Sequence, residues 1–264
     1  MGGIIEVLIL FDIDGTLINQ EKYPENYDSI KKIISQMGKN DFTIGICTCR
    51  PLDHSVKKIF KDYGLNGPIV TECGACIYQK NVFGYKLLFT YKKQDFNINK
   101  FLKKYIFEYE LKNNLKITVK ISDVNSKDNE TIVINKNRKM SSTIRFPKSL
   151  YTDIESIVDI LKDVPELNCM NIARDQNNRL KVNVYPKYVN KIFTTENYFK
   201  NKNVVLVTDF EDVSNHSHNT LLKVYSVSSN KKFNSYCDEF FPAFGKGVEE
   251  ILKKLKKGEN YEKL

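Results

Sequence analysis

The segment ILFDIDGTLINQ, residues 9–20, ends an apolar run with two aspartates one residue apart, Asp12 and Asp14, followed by Gly15 and Thr16. Two carboxylates brought together without a cation repel, and one is driven to protonate. A hard divalent cation such as Mg²⁺ removes that conflict, because it prefers oxygen ligands and keeps positions open for water and phosphate. Other polar residues gather at comparable places: Thr48, Cys49 and Arg50 after FTIGIC, Lys191 in YPKYVNK, and Asp209 with Asp212 after NVVLVT. A metal-neutralised carboxylate beside a fixed lysine suits phosphoryl transfer, in which the transferred group carries charge on three equatorial oxygens. In that chemistry Asp12 is the nucleophile and forms an aspartyl-phosphate. Asp14 protonates the leaving oxygen and then deprotonates the attacking water. Asp12, the backbone of Asp14 and Asp209 would hold the metal, with Asp212 or Glu211 as an outer carboxylate.

The elements that must position these residues follow from hydrophobic periodicity. Residues 5–11 form a near-continuous apolar run of the kind found in a parallel strand covered on both faces. Helical spacing over 26–38 and 52–64, each ending in glycine, alternates with apolar strands at 42–48 and 67–72. That βαβαβ alternation opens a doubly wound, Rossmann-like parallel sheet, whose ligands bind outside the carboxyl ends of the strands. The pattern then changes to a strand from 86, a helix over 96–112, strands over 115–122 and 130–136, a strand in STIRFPK, a helix over 149–163 and strands over 167–174 and 179–185. Helix followed by two strands occurs twice, which suggests an α+β insertion around an antiparallel sheet. The α/β character returns with strands at 203–210 and 222–228 and a closing helix at 245–257. The expected organisation is a core of 1–80 and 186–264 interrupted by a cap of 81–185.

Bulk properties fit a folded globular protein. The 264 residues bury an adequate core, and 41% apolar residues exclude a disordered chain. No apolar run approaches the ~20 residues of a membrane span. Lys and Arg exceed Asp and Glu by nine, and the segment 81–185 alone holds 19 of the former against 12 of the latter. A basic cap concentrates anionic ligands, and Arg145, Arg174 and Lys181 are its candidate contacts. No aromatic-basic motif or helix-turn-helix pattern supports nucleic acid as the partner, and no pattern specifies an oligomeric state. The six cysteines have no framework spacing, so a reducing, cytoplasmic setting is expected. Cys47, Cys49, Cys73 and Cys76 read as buried small hydrophobes rather than as a zinc cluster. His216 and His218 read as an exposed loop, and Asp53 with His54 as the start of a helix.

The motifs resemble the haloacid dehalogenase superfamily, and specifically its Cof-type, sugar-phosphatase-like branch. DIDGTL is similar to the first motif; ICTCRP resembles the second, with Thr48 as the phosphate-binding hydroxyl; TECGACIY resembles an Asn-Gly-Ala segment; YPKYVNK places Lys191 at the family lysine; and FGKGVEEIL resembles the closing helix. Spacing supports the same branch: 36 positions separate Asp12 from Thr48, and 143 separate Thr48 from Lys191, so the cap follows the second motif. The resemblance implies a Mg²⁺-dependent phosphomonoesterase acting on a small phosphorylated metabolite, with a sugar phosphate as the expected substrate. Gly15, Thr16, Cys49 and Arg50 then line the substrate on the core side.

Several positions depart from the pattern. TDFEDVSN has Thr208 in place of glycine, Asp212 in place of asparagine and Val213 in place of the second aspartate, while Cys49 replaces a glycine and Cys73 an asparagine. These departures keep two alternatives in view: a phosphomannomutase-like phosphotransferase, which a sugar-bisphosphate requirement would reveal, and a catalytically impaired phosphate-binding protein.

Overall fold

The first strand, β1 (Val7–Phe11), is buried at every position, as an apolar run without alternation requires. The computed structural model describes residues 7–39, 42–91, 104, 119–122, 131–135, 138, 140–147, 167–174, 180–186, 189–209, 221–228 and 237–257, with backbone alone at 119, 121, 122, 135 and 167–174. After β1 come α1 (Tyr27–Met37), β2 (Phe42–Cys47), α2 (His54–Asp62), β3 (Pro68–Thr71), β4 (Cys76–Asn81) and β5 (Gly84–Thr90). The inserted strands are β6 (Val119–Ser122), β7 (Ile132–Asn135), β8 (Ser142–Phe146), β9 (Leu167–Arg174) and β10 (Leu180–Pro186). The chain ends with α3 (Lys191–Tyr198), β11 (Asn203–Thr208), β12 (Leu222–Val227), β13 (Glu239–Phe241) and α4 (Phe244–Lys256).

Eight strands form the core sheet in the order β13-β12-β11-β1-β2-β3-β4-β5. From β13 through β3 every neighbouring pair is parallel, and β4 runs antiparallel to β3. Chain order departs from β1 in one direction through β2 and β3, and returns on its other side at β11. The carboxyl ends of β1 and β11 therefore meet at a topological switch point, where open α/β sheets bind ligands.

Two compact units emerge, Met1–Phe89 with Asn190–Leu264, and Thr90–Val189. The strand expected to open the insertion, β5, instead belongs to the core sheet. Only Val82 and Phe83 connect it to β4, a hairpin-length link that keeps consecutive strands adjacent. The second unit is a five-stranded sheet in the order β6-β7-β8-β10-β9. Its pairs are antiparallel as expected, apart from the parallel β6/β7 edge. Ile144 opposes Val182, while Arg145 opposes Lys181 and the Thr143 hydroxyl donates to Asn183 Oδ1 at 2.8 Å, so apolar and polar pairs alternate along β8 and β10. Of the helices expected at 96–112 and 149–163, Lys104 alone is described and is helical; the remaining positions lie outside the described residues.

Candidate active site

Asp12 is the residue after β1, and its N–H donates to the Val207 carbonyl at 2.8 Å, continuing the β1/β11 ladder by one step. The backbone is therefore fixed by the sheet before any side-chain contact is made. Its carboxylate is 5% exposed as a residue. Oδ1 accepts from the Ile13 N–H at 2.7 Å, and Oδ2 accepts from Lys191 Nζ at 2.6 Å and from the Thr208 hydroxyl at 3.5 Å. Lys191 is itself buried and is the first residue of α3, whose Asn190 cap accepts from the Phe193 N–H at 2.7 Å. A cation at a helix N-terminus opposes the helix dipole. Its placement is accounted for by Asp12, because two buried charges remain ionised only when paired.

The turn after Asp12 is tight. Leu17 and Ile18 N–H both donate to the Ile13 carbonyl at 2.9 Å, and Gly15 sits at φ +71°. A Cβ on Gly15 would lie 2.2 Å from Asp209 Oδ2, so the absence of a side chain admits the second carboxylate to the nucleophile loop. Thr16 is fully buried, and its hydroxyl makes no hydrogen bond among the described atoms. Among the described residues no three His, Cys, Asp or Glu side chains form a metal cluster. The donor chemistry nevertheless suits a hard cation: Asp12 and Asp209 offer carboxylate oxygens, and Gly15, without a side chain, leaves room for Asp209 beside the loop that follows Asp12.

Thr48 is the residue after β2, is fully buried, and is held by N–H donation to the Val70 carbonyl at 2.9 Å. Its hydroxyl accepts from the Arg50 N–H at 3.2 Å. Arg50 turns towards carboxylates: Nε and Nη2 donate to Asp14 at 2.8 and 2.6 Å, and Nη2 also donates to Glu21 at 2.6 Å. Burial alone would push this guanidinium's pKa down, but the bonds to Asp14 and then Glu21 outweigh it and hold the pKa above its ordinary value. The Cys49 sulfur is bonded to Cys73 in a disulfide, where unpaired thiols were expected, leaving Cys49 only its backbone to offer a ligand.

The geometry thus gathers Asp12, Lys191, Thr208, Gly15 and Asp209 into one set, and joins Asp14 to Arg50. Thr208 and Glu21 were not expected as participants. Thr208 was visible as a departure at a motif position, whereas nothing in the spacing of Glu21 pointed to Arg50. Asp212, Glu211, His216 and His218 lie outside the described residues, as does the side chain of Arg174. Arg145 and Lys181 belong to the second unit.

A model of the haloacid dehalogenase-like hydrolase family matches residues 9–208. No curated protein sequence matches the chain. Among solved structures, a putative HAD/COF-like hydrolase from Plasmodium vivax is 18% identical, with a TM-score of 0.61 and 97% of each chain covered. A Thermoplasma acidophilum protein is 12% identical, with a TM-score of 0.65, over 96% of this chain and 99% of its own. A HAD subclass IIB sugar phosphatase is 14% identical, with a TM-score of 0.62, over 96% of this chain and 99% of its own.

Proposed function

The chain belongs to the haloacid dehalogenase-like hydrolases, and from that premise we propose that it hydrolyses phosphomonoesters of small metabolites, sugar phosphates foremost, in the cytoplasm. The observation that carries the proposal is the buried Asp12–Lys191 pair at 2.6 Å, made between residues 179 positions apart. Asp12 attacks the phosphorus, the bond to the leaving oxygen breaks, and an aspartyl-phosphate results. Water then attacks that phosphorus and restores the Asp12 carboxylate. Lys191 orients Asp12 and offsets the charge gathering on the phosphoryl oxygens, while the Thr48 hydroxyl binds those oxygens. Asp14, its side chain 59% exposed, has room to turn from Arg50 to the leaving oxygen, to which it gives a proton, and it later takes one from water. Asp12, the Asp14 carbonyl and Asp209, with Asp212 as the outer carboxylate, would hold Mg²⁺. When bound, the ion neutralises the carboxylates and the substrate phosphate. Substrate choice is assigned to the inserted unit, with Arg145, Arg174 and Lys181 as its anion contacts.

The test is a screen of wild type and Asp12→Asn with Mg²⁺ on an aryl phosphate and a panel of sugar and nucleotide phosphates. Asp12→Asn is expected to lower kcat by at least ~10³-fold, as loss of a covalent nucleophile does. Metal-dependent turnover unchanged in Asp12→Asn would remove the nucleophile from the mechanism.

A further inference from the structure

Cys49 and Cys73 stand at two motif positions where the resembling family has glycine and asparagine, and the structure joins them. Their sulfurs form a disulfide across 24 residues of sequence, between the loop leaving β2 and the turn leaving β3. Two separate departures thus become one feature. Parallel β2 and β3 bring the two carboxyl ends together, with Cys47 opposite Val70, so the bridge lies on the side of the sheet where Asp12 stands.

What the bridge anchors is the turn Glu72–Gly74, a single 3₁₀ turn against which three parts of the candidate site rest. Glu72 N–H donates to the Arg50 carbonyl at 2.9 Å, and Cys73 N–H donates to the Thr48 carbonyl at 3.0 Å. Gly74 packs so closely on the start of α3 that a Cβ there would lie 2.5 Å from Thr194 Oγ1 and 2.6 Å from the Asn190 carbonyl, beside Lys191. The turn therefore supports the loop of Thr48, the backbone of the Arg50 that holds Asp14, and the helix end that carries Lys191. Its own conformation is unfavourable: Glu72 and Cys73 are consecutive non-glycine residues at φ +53° and +57°. Such a turn persists only where its surroundings over-determine it.

We propose that Cys49–Cys73 is a reversible redox-modification site that sets the phosphate affinity of the active centre, the disulfide form being the tighter binder. The inference rests on the phosphate-binding reading of Thr48. A dithiol reductant supplies two electrons and two protons: one of its thiolates attacks one sulfur of the bridge and releases the other cysteine as a thiolate, its second thiolate then attacks the mixed disulfide and releases the remaining cysteine, and the products are the protonated Cys49 and Cys73 thiols and the oxidised reductant with its own disulfide. With the covalent link gone, the turn loses one of the constraints that hold it at positive φ, and Thr48 and Lys191 lose preorganisation. Binding then bears the ordering cost.

The experiment compares full-length wild type, air-oxidised and dithiothreitol-reduced, with Cys73→Ser. Non-reducing peptide mapping should find Cys49 linked to Cys73, and denatured thiol titration should count two more thiols after reduction. Titration calorimetry with inorganic phosphate and Mg²⁺ should give a Kd at least ~3-fold higher for the reduced form, the scale of lost preorganisation, and the KM for an aryl phosphate should rise in parallel. Reoxidation should restore both, and Cys73→Ser should no longer respond to the reductant. Absence of the Cys49–Cys73 peptide, or a phosphate Kd that is the same in both redox states, would overturn the proposal. Phosphate binding that responds to redox state without any phosphomonoester turnover would instead count against the hydrolase reading and leave the switch standing.

Discussion

Asp12 is held from two directions, by the Ile13 amide on one oxygen and by the Lys191 ammonium on the other. Both members of the ion pair are nearly excluded from water, with side chains 7% and 3% exposed. Breaking such a pair from one side leaves a buried charge without its counter-ion, a loss of about 3–5 kcal/mol. Lys191→Met should therefore lower both kcat and unfolding free energy, and Asp12→Asn added to it should recover much of the stability while activity stays lost. Urea unfolding of the four proteins in a double-mutant cycle measures this; strictly additive losses would show that the two charges do not stabilise each other. At this scale the sequence was legible where a residue type is demanded by chemistry. Asp12 and Lys191 were singled out by residue type and position and the structure pairs them, and Asp209, singled out in the same way, lies against Gly15. Glu21 was not legible, because its approach to Arg50 depends on how the turn after Asp14 folds back through the Asp14–Ile18 and Asn19–Lys22 bridges.

The elements that place these residues divide in the same way. β1 and β11 were readable because a strand covered on both faces is apolar throughout, and both are buried along their whole length. β4 was not readable: its burial falls from complete at Cys76 to exposed at Asn81, so neither alternation nor a continuous run marks it. The disulfide was hidden for a related reason. C-x-C and C-x₂-C spacings suggest local clusters, and the bridge between them becomes visible only once β2 and β3 are known to be parallel neighbours. The start of α2, by contrast, was plain from Asp53 after CRP. Its carboxylate accepts from the Val56 N–H at 3.0 Å and from the Ser55 hydroxyl at 2.7 Å. Asp53→Ala should cost about 1 kcal/mol through loss of the cap, lowering Tm by roughly 2–4 °C, whereas Asp53→Asn should keep most of the stability. Differential scanning fluorimetry separates these outcomes, and an Asp53→Ala Tm equal to wild type would show that the cap contributes nothing. Because Ser55 also accepts from Arg50 Nη1 at 3.2 Å, the cap connects the helix to the pair that holds Asp14.

For the whole molecule, the difficulty is that the core is assembled from two stretches of chain separated by the inserted unit. The β1/β11 ladder makes one connection, from Val7 opposite Asn203 to Phe11 opposite Val207. A second lies between helices: Asn26 Nδ2 donates to the Gly245 carbonyl at 3.0 Å and to Glu249 at 2.5 Å, and the Ser29 hydroxyl donates to Glu249 at 2.8 Å. Glu249 also pairs with Lys253 at 2.6 Å, one turn further along α4. Lys253 first, then Asn26 and Ser29, stabilise the charged carboxylate and hold its pKa down at about 2, against 4.5 ordinarily. A group whose folded pKa lies below its unfolded one adds stability above the unfolded value and loses it as the pH falls through the folded one. The contribution of Glu249 is therefore complete above about pH 5 and fades towards pH 2. Lys253 is exposed and the pair is screened by solvent, so the ion pair itself is worth below about 1 kcal/mol, but the two bonds from the N-terminal half give it structural reach. Glu249→Gln should melt below wild type at pH 6, and the gap should narrow steadily between pH 5 and pH 2.5 as the wild-type carboxylate protonates. Raising the salt concentration at pH 6 should narrow the gap partly, since salt screens the lysine but not the neutral donors. A gap that stays constant across this pH range would assign the loss to packing rather than to charge, and would remove Glu249 as an electrostatic tie between the two halves of the core.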